Sequence, residues 1–94
     1  MEKNKKMKYA IEVTRQAGKF LKDGKISENI RRMIYERVLL LGKEPFPPGA
    51  VKLKGNSYFR IRQGDYRIIY EVRKKVLIIV IISIAHRKNV YNKI

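Results

Sequence analysis

Ten consecutive residues near the C-terminal end, Val76 to Ala85, are apolar at every position except Ser83. A strand with one face in water alternates apolar and polar residues, whereas a strand covered on both faces reads as a continuous apolar run. The run is far short of the roughly 18 to 20 residues that a membrane helix requires. It therefore reads as the central strand of a sheet with cover on both sides, and the remaining residues must supply neighbours and cover. With 94 residues in all, the chain holds one small domain, burying about 60 to 65% of its unfolded surface. Residues 1 to 6 are polar and unpatterned and read as a tail without a role, so the domain spans 7–94, with Met7 an alternative start.

From Lys8 the sequence alternates, with Tyr9, Ile11 and Val13 on one side and Lys8, Ala10 and Glu12 on the other, the period of a strand. Thr14 caps a helix to Lys22, with Ala17, Phe20 and Leu21 at helical spacing, and Asp23-Gly24 ends it. Ser27 opens a second helix through Leu41, whose stripe Ile30, Met33, Ile34, Val38 and Leu41 faces a core while Arg31, Arg32, Glu36 and Arg37 face away. Gly42 stops it, and the three prolines of Glu44 to Gly49 make a connector that cannot lie inside a sheet. Four strands follow, 51–54, 58–63, 66–73 and 76–85, turning at Gly55-Asn56, Gly64-Asp65 and Lys74-Lys75. The fold class is α+β: strand, helix, helix, four strands and a short terminal turn or helix from His86, with a mainly antiparallel sheet and a helical hairpin on one face.

Lys and Arg number 23 against 8 Asp and Glu, a net charge of +15. Residues 1–42 carry +6 and residues 43–94 carry +9, so an anion belongs on the second half. Such a field favours nucleic acid, a ribosomal surface or an acidic protein partner. Without cysteine there is no disulfide, thiolate nucleophile or Cys-ligated zinc, and one histidine excludes a multi-histidine metal site. No metal or other cofactor is expected. The composition suits a reducing cytoplasm, and no hydrophobic stretch follows the basic N-terminus as a secretory signal would require.

Gly64-Asp65 between two alternating runs signals a two-residue hairpin, glycine in first place suiting a type II′ turn. That register sets Gln63 opposite Tyr66, Arg62 opposite Arg67, Ile61 opposite Ile68, Arg60 opposite Ile69 and Phe59 opposite Tyr70. Phe59, Ile61, Ile68 and Tyr70 then share one face, and Arg60, Arg62 and Arg67 the other. Like charges opposite each other are destabilising by roughly 0.2 to 1 kcal/mol, so a fold under selection for stability alone would avoid that pair. Glu71 shares their face without being able to neutralise all three. A phosphate could, because guanidinium forks grip its oxygens in pairs; the plainer alternative is a solvated arginine face. If Lys74-Lys75 is also a tight turn, Arg67 opposes Ile82 and His86 joins the arginine face. A longer loop would exchange it with Arg87. The plainer role of a lone histidine at a strand end is structural.

The string LKGNSYFRIRQGDYRIIYEV, with a hydrophobic strand ending in HRKNVY, resembles the RelE branch of the RelE/ParE toxin superfamily over nearly the whole chain from Met7. The resemblance implies a type II toxin that enters the ribosomal A site and cuts mRNA by transesterification through the ribose 2′-hydroxyl. It also implies an acidic, RelB-like antitoxin from the same operon as partner, with operator DNA contacted only through the toxin–antitoxin complex. Position by position, it puts basic third-strand residues at Arg60 and Arg62, a transition-state arginine at Arg67, a basic pair at His86 and Arg87, and a substrate-orienting tyrosine at Tyr91. Lys52 and Lys54 complete the set expected to contact RNA. Where the family pattern has lysines, this chain has Arg60 and Arg62, which cannot serve as general bases. The expected division of labour is Arg62 and Arg67 as phosphate clamp, Arg60 and Arg87 on the backbone, His86 as base or shared acid and base, and Tyr91 as orienting group. A ParE-like gyrase toxin and a non-catalytic RNA- or ribosome-binding module are the alternatives.

Overall fold

A computed structural model describes residues 8–88. Strand β1 (Ala10–Val13) leads into helix α1 (Arg15–Leu21), whose cap is Thr14: its hydroxyl accepts from the Ala17 N–H at 3.1 Å and donates to Ile82 O at 2.7 Å. The same side chain thus starts the helix and ties it to the sheet. Helix α2 (Glu28–Leu41) is capped by Ser27, which accepts from Ile30 N–H. Arg31 does not face away. Its guanidinium turns back and donates to the carbonyls of Leu21, Asp23 and Ile26, filling acceptors that the end of α1 leaves open. Among the described residues no helix is long and apolar enough to cross a membrane.

Strands β2 (Val51–Lys52), β3 (Tyr58–Gln63), β4 (Tyr66–Arg73) and β5 (Ile78–His86) complete a five-stranded sheet of order β1-β5-β4-β3-β2. All neighbours are antiparallel except β1 and β5, which run parallel. The apolar run is internal, between β1 and β4, while β4 holds the middle of the sheet. Ala17, Ile34, Val38 and Leu41 from the helices bury against Ile61, Ile68, Tyr70, Ile79, Ile81 and Ile84, so the helices cover one face and the core lies between. Gly42 is required by close approach: a Cβ there would meet the Tyr9 carbonyl at 2.9 Å, where the two backbones join through Tyr9 N to Gly42 O.

Two strand boundaries near the site differ from expectation. Strand β2 stops at Lys52 rather than Lys54. Lys74 to Leu77 form a four-residue connection instead of a tight turn, with Val76 exposed and Leu77 at φ 57. Lys-Lys has no turn chemistry to hold a two-residue reversal, so the loop lengthens and β5 begins at Ile78. The terminal turn or helix expected from His86 does not begin there, because β5 includes His86 and a turn follows at Arg87 and Lys88; the rest of that segment and the expected tail, 1–6, lie outside the described residues.

Candidate phosphate-binding site

Hairpin β3–β4 has the register its turn demands: Gln63 opposes Tyr66, Arg62 opposes Arg67, Ile61 opposes Ile68, Arg60 opposes Ile69 and Phe59 opposes Tyr70. Gly64 takes φ 62 while Asp65 stays outside the left-handed region, the pattern of a type II′ rather than a type I′ turn. Arg60, Arg62 and Arg67 consequently share the face that the helices leave uncovered. Arg62 is exposed, Arg60 half-buried and Arg67 buried at 9% exposure. The Nε of Arg60 is buried and has no hydrogen-bond partner. Glu71 lies on the same face, opposite Tyr58, but its carboxylate accepts from the Ser57 hydroxyl at 2.8 Å and from Arg73 at 3.1 Å. The Ser57 hydrogen bond holds its pKa below the ordinary value, with Arg73 assisting against partial burial. That carboxylate is committed to the far end of the hairpin, away from Arg62.

The next pairing carries a correction. Arg73 opposes Ile78 and Tyr70 opposes Ile81, but Ile69 opposes Ser83, so Ile82 is an extra residue that bulges from β5. Without it Arg67 would face Ile84 and His86 would share its side; with it Arg67 faces Ala85 and His86 faces Tyr66. His86 therefore does not join the arginine face. Its ring stands edge-on to Tyr66 at 5.2 Å, and Tyr66 stands edge-on to Phe20 at 5.6 Å, an aromatic series leading toward α1. His86 Nδ1 accepts from the Lys88 N–H at 3.2 Å. A neutral imidazole accepting at Nδ1 carries its proton on Nε2, the tautomer this hydrogen bond assigns.

Arg87 is held at the same end of the sheet, its N–H donating to Asp65 O at 2.7 Å and its Nε lying 3.5 Å from the Asp65 carboxylate. The β3–β4 turn thus positions the arginine that follows β5. Lys52 is not part of this face: it opposes Phe59, and its ammonium donates to Asn56 O at 2.9 Å. Lys54 lies exposed in the loop beyond β2. Tyr91 lies outside the described residues.

One arginine was missed by the helical stripe. Arg37 of α2 lines, with Arg60 and Arg62, a groove of about 360 Å³ closed by Pro48, Gly49 and Val51. The sequence signal is its spacing, three residues after buried Ile34 and four before buried Leu41, which places it beside the core stripe rather than opposite it.

The family described as the ParE toxin of type II toxin-antitoxin systems matches residues 11–91. No curated protein sequence matches the chain significantly. Solved structures do. The archaeal RelE of the RelE-RelB complex from Pyrococcus horikoshii is 31% identical, with 86% of this chain and 97% of that chain covered at a TM-score of 0.74. A chain of the RelBE2 toxin-antitoxin complex from Mycobacterium tuberculosis is 26% identical over 88% and 95%, at a TM-score of 0.76. A mutant of the Escherichia coli toxin RelE in the free state shares the fold, at 21% identity, 93% and 94% coverage and a TM-score of 0.72. Family match, sheet order and hairpin agree, and the chain belongs to the ParE toxin family of type II toxin-antitoxin systems, within the RelE/ParE superfamily.

Proposed function

We propose that this toxin is a ribosome-dependent endoribonuclease that cuts mRNA in the A site. The observation that carries the reading is the arginine pair: Arg62 directly opposite the buried Arg67 on the sheet face away from the helices, with Arg60 two residues along. Such an array suits a phosphodiester whose charge grows as it reacts. In the reaction the 2′-oxygen attacks the adjacent phosphorus, the bond to the 5′-oxygen breaks, and a 2′,3′-cyclic phosphate is left. The 2′-hydroxyl proton passes to a base, and the departing oxygen takes up a proton. Arg62 and Arg67 hold the non-bridging oxygens and stabilise the phosphorane; Arg60 and Arg87 hold the flanking backbone. His86, with Nδ1 accepting from Lys88 and its proton on Nε2, offers a hydrogen bond to the departing 5′-oxygen without giving the proton up, because a neutral imidazole is too weak an acid. Solvent or a ribosomal group supplies the proton that the departing oxygen takes up. The base is then Tyr91, a ribosomal group or solvent, and the ribosome supplies the in-line geometry, an ordering worth several kcal/mol.

The partner in this reading is an acidic antitoxin, supported by the net charge of +15 and by the similar structures being toxin-antitoxin or RelE-RelB complexes. Its attraction to a +15 chain weakens as salt rises. A second reading, a ParE-like gyrase toxin, is favoured by the description of the matching family.

Toeprinting in a translation reaction, run beside a supercoiling assay, decides between them. Scission within the A-site codon is expected with supercoiling intact; inhibited supercoiling without scission supports the second reading, and ribosome binding with neither makes the chain a non-catalytic binding module. His86→Ala is expected to slow cleavage. A variant that keeps the full rate makes the histidine structural, consistent with its packing on Tyr66.

A further inference from the structure

We propose that the groove between α2 and β3 is a second phosphodiester subsite, in which Arg37 reads the backbone of single-stranded RNA beside the scissile position. The inference rests on the nuclease reading and extends its site from the sheet face to the helical layer.

Three observations support it. Arg37 is half-buried and makes no hydrogen bond or ion pair with a described residue. Glu44, which lines the adjoining groove with it, forms no ion pair with it. Partly removing a guanidinium from water without an anion is unfavourable, so such a group is retained where a ligand supplies the charge. Second, the buried Nε of Arg60 lacks a partner and belongs to the same groove. Two cations from different layers, each short of an acceptor, thus converge on one space.

Third, the chain opens that space. Strand β2 pairs with β3 only at Val51 with Arg60 and Lys52 with Phe59, and before it Pro48 and Gly49, the latter at φ 91, line the groove wall. The edge of β3 from Ile61 onward has no strand beside it, and the groove occupies that gap. At about 360 Å³ it is at the small end of ligand sites, roughly 300 to 1,000 Å³, the scale of one nucleotide. Its apolar lining is limited to Val51, Ile61 and Pro48, which favours a backbone phosphate with its sugar over a stacked base.

The test titrates the full chain, with arginine side chains labelled with ¹⁵N, against a 2′-O-methyl oligonucleotide that binds without being cut. The Nε–H signals of Arg37, Arg60 and Arg62 are expected to shift together. Arg37→Gln is expected to weaken binding about fivefold, the upper scale of one exposed charge contact. It should also reduce the slope of log affinity against log salt by about 0.7, one single-strand phosphate. Arg37→Lys is expected to restore most of the slope. If Arg60, Arg62 and Arg67 respond while Arg37 does not, the subsite falls and the nuclease face stands. If no arginine responds, the subsite falls, and the nuclease reading is decided by the toeprinting assay. A response of Arg37 to an acidic peptide but not to the oligonucleotide makes the groove a protein-docking site and overturns the proposal.

Discussion

The same three strands build two faces by opposite rules. On the helix-covered face the central pairings join apolar residues, Ile61 with Ile68, Phe59 with Tyr70, Tyr70 with Ile81 and Val72 with Ile79, with Gln63 and His86 against Tyr66 only at one end. On the other face, alternate residues of those strands place Arg62 against Arg67 and Arg60 against Ile69. The first arrangement removes side chains from water and is favourable pair by pair; the second sets two like charges opposite each other at Arg62 and Arg67, a pairing that by itself costs stability. A small domain can carry the second because the first is well packed. Stability and chemistry should therefore be separable by face.

The largest expected effect is on the packed face. Ile68 is fully buried in the core cluster, and Ile68→Ala is expected to cost about 2 to 5 kcal/mol by urea unfolding, a large share of the total stability of a small domain. Cleavage per folded molecule should stay near wild type. A variant that stays stable but loses activity would mean that the faces are not separable.

Next is the arginine face. Arg67→Ala is expected to slow single-turnover cleavage by about 10² or more, the scale of a lost oxyanion donor. Ribosome affinity, spread over many basic residues, should change little. An equal loss of affinity and rate would make Arg67 a docking residue.

Tyr70 gives the packed face a pH signature. Its hydroxyl donates to Pro45 O at 2.7 Å, and burial pushes its pKa up to about 12 against the opposing charge of Arg37. The neutral phenol is the form the fold favours, so its contribution is complete below pH about 10, the ordinary tyrosine value, and is lost as pH rises toward 12. Tyr70→Phe is expected to cost about 1 kcal/mol at neutral pH and to flatten that alkaline loss. Identical alkaline unfolding curves for the two proteins would show that another group governs it.

How far each face was legible follows from local chemistry. The β3–β4 register could be read because Gly64 admits the positive φ of the turn and every pairing then follows from alternation. The β4–β5 register could not. Lys74-Lys75 carries no turn signal, and the bulge sits at Ile82 beside Ile81, where two identical side chains leave no trace of which is skipped. That single residue removes His86 from the arginine face and gives it to Tyr66. Arg31 and Arg37 look alike in a helical stripe, yet one completes the end of α1 and the other lines a groove; only the packing of α1 and β3 around α2 distinguishes them.

The smallest expected effect has an unusual sign. Arg62 is exposed and faces Arg67 across the hairpin, so its charge opposes folding, and Arg62→Ser removes that repulsion while keeping a residue that strands accept. Stability is expected to rise by about 0.2 to 1 kcal/mol in dilute buffer. Because salt screens exposed charges over about 10 Å at 0.1 M and 3 Å at 1 M, the gain should shrink as salt increases. Cleavage should fall, since the same guanidinium belongs to the phosphate clamp. A variant more stable and less active at once would place the functional cost of this fold on one cross-strand pair; a variant less stable at low salt would show that Arg62 is held there by an attraction, and that the two faces are not built by opposite rules.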